Sequence, residues 1–120
     1  MPNGFVTAGG AITPYIKNPL VESLKEIGVA PADIKYFAMS HGHGDHSGNA
    51  NLFAGATLYM QRTEYAAVFG DEPQKFGFIP ANFEKLRSST AMIIDGDYDV
   101  FADGSVIIKS APGHTPGHQV

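Results

Sequence analysis

At 120 residues, with 43% apolar composition, the chain suits a single domain that buries its own core. A net charge of -4 without a Lys/Arg cluster argues against a nucleic-acid partner. No apolar run approaches the ~18 residues of a membrane span, and no cysteine is available for disulfides or thiolate ligands.

In chain order, Met1 to Ala11 is Gly-rich. Asn18 is a plausible N-cap, with Pro19 opening a helix that Leu20, Val21, Leu24 and Ile27 face inward and Gly28 closes. Lys35 to Met39 is a short apolar run that reads as a buried strand. A short helix follows from about Ser47 to Leu52, then a strand from Thr57 to Met60 and a helix from Arg62 to Phe69. Gly70 to Ala81 reads as a loop with room for a substrate-contacting segment, and Asn82 to Arg87 as one more helix. Ala91 to Ile94, Tyr98 to Phe101 and Val106 to Lys109 read as strands, the last two joined by an Asp103-Gly104 hairpin turn. Gln119 and Val120 open a further strand. Met39, Met60 and Met92 are simplest as core filler, and Tyr36, Tyr59 and Tyr98 as packing residues. Asp95, Asp97 and Asp99 lack the Gly and Glu of a calcium loop, where Val100 and Val106 stand, and read as a solvated acidic turn.

All five histidines fall in two stretches, His41-Gly42-His43-Gly44-Asp45-His46 and His114-Thr115-Pro116-Gly117-His118. Imidazole and carboxylate hold divalent transition metals through nitrogen and oxygen. His41 and His43 can chelate one ion together, while Asp45 and His46 can face a second position. A third nitrogen for the first ion has to come from elsewhere, and His114 is the obvious candidate. Gly42 and Gly44 would allow unusual dihedrals and keep the cavity clear. Against this stand two plainer readings, a solvated His-rich loop and a purely structural metal site. The first loop follows directly on a strand, where ligands gather in open α/β sheets.

The two motifs, His41-x-His43-x-Asp45-His46 and Gly113-His114-Thr115-Pro116-Gly117-His118, resemble the metallo-β-lactamase superfamily. The chain is most similar to its N-acyl-homoserine-lactonase-type members, with glyoxalase II thioesterases and subclass B3 β-lactamases as alternatives. The resemblance implies an α/β fold (α+β in some schemes), part of an αββα sandwich. It implies His41, His43 and His114 on a first metal, Asp45 and His46 on a second, and His118 supporting the site without ligating. Zinc is the expected ion, one or two per chain, with iron, manganese, cobalt or nickel as alternatives. The implied reaction is hydrolysis, a metal-bound hydroxide attacking a lactone or related ester, thioester or lactam carbonyl, with Asp45 orienting the nucleophile.

Measured against that family, the chain reads as a single partial domain over residues 1–120. It lacks the usual N-terminal strands with their Asp-Thr-Gly-like turn, as well as the C-terminal half that carries a bridging Asp and a further His. A truncated metal-binding fragment without significant turnover is therefore the alternative of another class. Leu24, Ile27, Phe37, Met39, Ile93, Val106 and Ile108 should face the shared core. Exposure of part of that surface would favour a homodimer or other oligomer. No membrane is expected as a partner, and with no basic-then-apolar segment at its start the chain is expected in the cytoplasm.

Overall fold

The computed structural model describes residues 17–120, so the Gly-rich opening lies outside the described residues. Three parallel strands, β1 (Tyr36–Ala38), β2 (Thr57–Gln61) and β3 (Ala91–Ile94), form a sheet in the order β1-β2-β3. Tyr36 pairs with Thr57 and Leu58 with Ala91, so the carboxyl ends of β1 and β2 share one edge. Parallel neighbours need crossovers. The first carries the histidine loop, a one-turn helix α2 (Gly44–Ser47) and a 3-10 turn over Ala50–Phe53; the second carries α3 (Arg62–Phe69). The first helix of the described residues is α1, Leu20–Glu26.

Central β2 is apolar on both faces, and each face has its own core. Leu58 and Met60 pack with Met39, Ala67, Val68, Phe78, Phe83 and Leu86 on the helical side. Tyr59 packs on the other side with Ile94 and Ile108, the latter from the antiparallel pair β4 (Tyr98–Asp99) and β5 (Ile107–Ile108). Leu58 has no exposed surface, and burial of this kind stabilises by ~1.5–3 kcal/mol per side chain. The expected Asp103-Gly104 turn joins this pair: Gly104 takes φ +78° and donates to Asp99 Oδ2 at 2.8 Å. Among the described residues no helix is long and apolar enough to cross a membrane.

Several expectations need correction. β1 is not buried: Tyr36 is 54% exposed and Ala38 exposed, because β1 pairs only with β2 among the described residues and Tyr36 instead meets the edge of the Phe101 ring. Met92 is exposed rather than core filler. Asn18 does not cap α1; Pro19, with extended ψ, is the N-cap and its carbonyl accepts from Ser23 N. The helix expected over Asn82 to Arg87 is a 3-10 segment, Glu84–Ser88, and the loop from Gly70 holds two further 3-10 turns, Pro73–Phe76 and Pro80–Asn82. Of the expected core, Met39 and Ile108 are buried and Phe37, Leu24 and Ile93 half-buried, whereas Ile27 and Val106 stand exposed.

Candidate metal centre

The first histidine loop leaves β1 at its carboxyl end, and α3 begins directly where β2 ends. The second loop reaches the same edge through the hairpin. Gln119 N–H donates to the Ser40 carbonyl at 2.9 Å. The buried Gln119 side chain donates to the carbonyls of Met39 (2.8 Å) and Tyr59 (3.0 Å). Asp97 holds the base of this loop, accepting from Ser110 N–H and from Lys109, whose ammonium keeps the Asp97 carboxyl below the usual range. The acidic turn is therefore not merely solvated. Each carboxylate has its own partner, Asp95 taking Arg62 in a bidentate pair and Asp99 taking the hairpin turn.

Both loops thus bring their imidazoles together. One nitrogen each of His41, His43 and His114 lies within 4.8 Å of the others. His43 Nδ1 is 3.0 Å from His114 Nε2, close to the ~3.3 Å expected of two nitrogens sharing a tetrahedral zinc at ~2.0–2.1 Å. The backbone carbonyl of Phe76 accepts from His43 Nε2 at 2.9 Å, which fixes the tautomer and leaves the Nδ1 lone pair facing the cluster. His41 is 2% exposed, and its Nδ1 is engaged by Ser40 Oγ at 3.0 Å. Its Nε2 is buried with no hydrogen-bond partner. A buried ring nitrogen without a partner is costly, and with the proton on Nδ1 a cation at the cluster would satisfy it. The donor set therefore fits a divalent metal.

Electrostatics agree. Burial, and then the neighbouring His46, His43, His118 and His114 rings, lower the His41 pKa from 6.5 to about 4. The ring is neutral at ordinary pH, the form that ligates.

Asp45 and His46 border this trio without joining its convergent donors. The His46 ring lies 4.2 Å from that of His41, and Ser40 Oγ also reaches His46 Nδ1 at 3.3 Å. His46 Nε2 faces Asp45 Oδ2 at 3.5 Å, and both side chains are open to solvent. The two can offer an oxygen and a nitrogen in one direction, and a third donor does not join them among the described residues. The His118 ring lies tilted 4.8 Å from that of His41 and 5.9 Å from that of His114, outside the convergent trio.

Gly42 and Gly44 do not serve through unusual dihedrals, since neither has a positive φ. Their role is space: a Cβ on Gly42 would lie 2.9 Å from Val68 Cγ2, and one on Gly44 2.9 Å from Ile79 Cδ1. Ser40, Glu64, Phe76 and Gln119, to which the sequence assigns no site role, also build the site. Glu64 left a signal. It shares the helical face of Ala67 and Val68, at i, i+3 and i+4, so the pattern alone puts a carboxylate on the buried side of α3.

Three imidazoles gathered at the strand ends of a parallel sheet, with helices on one face and a hairpin on the other, define an α/β protein with a candidate metal centre. The chain belongs to the metallo-beta-lactamase superfamily, whose sequence pattern matches residues 7–120. It is 37% identical over 105 residues to the N-acyl homoserine lactonase AttM of Azorhizobium caulinodans, a match that covers 82% of this chain and 39% of that protein. It is also 37% identical over 114 residues to the N-acyl homoserine lactonase AiiA of Bacillus thuringiensis subsp. kurstaki, covering 92% of this chain and 42% of the relative. A solved structure of an N-acyl homoserine lactone hydrolase, with the product N-hexanoyl-L-homoserine at its catalytic metal centre, superposes with a TM-score of 0.69 at 33% identity. That match covers 90% of this chain and 40% of the other, so the chain spans about two-fifths of the length of these relatives.

Proposed function

We propose that the chain carries the metal-binding part of a lactone hydrolase, with His41 Nε2, His43 Nδ1 and His114 Nε2 holding a divalent cation, zinc first. The observation that carries this reading is the convergence of three imidazoles around a buried nitrogen that has no partner in the protein. A cation held there supplies Lewis acidity toward a carbonyl oxygen and makes water a nucleophile near neutral pH. The chain's own groups do the rest. Phe76 and Ser40 orient the rings, and the depressed pKa of His41 keeps that ring unprotonated. Exposed Asp45, beside His46, can hold a second cation or accept a proton at its carboxylate. His118 supports the His41 ring without ligating.

The lactonases among the relatives support an N-acyl homoserine lactone or a similar ester as substrate. A second reading, metal binding without significant turnover, is favoured by the openness of Asp45 and His46, which leaves the second position two donors from this chain. Hydrolysis of N-hexanoyl homoserine lactone by the pure chain, lost with a chelator and in Asp45→Asn, is the expected result of the first reading. Full metal occupancy with no turnover on lactone, thioester or β-lactam substrates supports the second. The exposed apolar side chains of Tyr36, Phe101, Val106 and Ile107, with β1 paired only to β2 among the described residues, support self-association with a second copy.

A further inference from the structure

Glu64 is a carboxylate only 1% exposed, in the first turn of α3. Among the described residues no lysine or arginine pairs with it. Its two oxygens are instead divided between the two histidine loops. Oε1 accepts from Gly42 N–H at 2.9 Å, and Oε2 accepts from Gly117 N–H at 2.9 Å. Gly42 stands between His41 and His43, and Gly117 between His114 and His118. The next residue back on α3 adds to the same seam, Thr63 Oγ1 donating to the Pro116 carbonyl at 3.0 Å. The approach is so close that a Cβ on Gly117 would fall 2.4 Å from Glu64 N.

Burying an ionised carboxylate is costly unless it is both hydrogen-bonded and charge-compensated. The two N–H donors supply the first requirement, at the enhanced strength of bonds to a charged acceptor. A cation among the imidazoles of the same two loops would supply the second. We propose that Glu64 is a positioning residue for the candidate metal centre, its buried carboxylate clamping the His41–His43 loop to the His114–His118 loop and contributing compensating negative charge. This rests on the metal-site reading above and adds a residue that touches no ligand of its own.

The Glu64→Gln variant keeps the shape but removes the charge and one acceptor, so only one of the two amides keeps its bond. Cobalt(II) titrated into the full chain gives affinity and the visible bands of the bound ion, and hydrogen exchange of the metal-free chain reads the Gly42 and Gly117 amides. The expected result is affinity about 10–100-fold weaker in Glu64→Gln, as changes behind metal ligands typically give. Shifted cobalt bands and loss of protection at one of the two amides should accompany it. Should that variant fail to fold, Thr63→Ala, at an exposed position, loosens the same seam and is expected to weaken cobalt binding severalfold with shifted bands. Unchanged affinity and bands in a folded variant, even with a lowered melting temperature, overturn the proposal and leave the metal site standing. No cobalt binding by the parent chain overturns the metal reading and this proposal with it.

Discussion

His43 Nδ1 and His114 Nε2 lie 3.0 Å apart although they stand 71 positions apart in the chain. Neither nitrogen reaches that position through its own loop alone. His43 is turned by the Phe76 carbonyl, and the His114 loop is drawn in by Gln119 against the ends of β1 and β2. Much of the candidate metal centre is therefore preformed by hydrogen bonds of the protein itself, and its properties are testable before any ion is added.

The metal-free chain should lose stability on mild acidification. His41 titrates at about 4 in the folded chain, and at the ordinary 6.5 once unfolding removes its burial and its imidazole neighbours. Between those values the unfolded chain binds the extra proton. The stability contributed by the neutral ring is therefore fully present above about pH 6.5 and is lost as pH falls toward 4. Urea midpoints at pH 7 and pH 4.5 should differ clearly in the parent and much less in His41→Gln. Equal losses in both would assign the acid sensitivity elsewhere.

Gly117→Ala should cost far more than Gly42→Ala. The added methyl at Gly117 meets backbone, Glu64 N at 2.4 Å, which cannot turn aside, whereas at Gly42 it meets the ends of the Val68 and Phe78 side chains. Overpacking of this kind costs about 1–3 kcal/mol, with Gly117 at or above the upper end. Denaturant midpoints of the two variants would show the order, and a reversed order would mean that the second loop shifts freely.

The chain should associate with itself. Tyr36, Phe101, Val106 and Ile107 are each more than 40% exposed, and Tyr36 belongs to β1, which pairs only with β2 among the described residues. Light scattering should report a dimer or larger species, and Val106→Lys should shift it toward monomer. A well-dispersed monomer at high concentration would contradict this.

What the sequence made legible follows from how local each signal is. β2, α3 and β3 were readable within one residue because each is a short apolar or periodic run bounded by turn residues, and α3 matches from Arg62 to Phe69. The histidine loops were readable because their ligand types are concentrated. The exposure of β1 was not, since a run such as Tyr36-Phe37-Ala38 looks the same at the edge of a sheet as at its centre. Nor were the 3-10 turns between Pro73 and Ser88, whose shape is set by packing of Phe78, Phe83 and Leu86 into the core rather than by helical propensity. The helical pattern marks Glu64 as buried, but the roles of Glu64 and Gln119 are not legible, because their partners are backbone groups of distant loops, which carry no side-chain signature.

The central claim is that His41, His43 and His114 form one cation site with His118 outside it. Zinc titration of the parent, His114→Ala and His118→Ala at pH 7.5 tests it most directly. His114→Ala is expected to abolish tight binding, while His118→Ala retains it with a loss of about 10–100-fold at most. Tight binding that survives in His114→Ala but disappears in His118→Ala would contradict it.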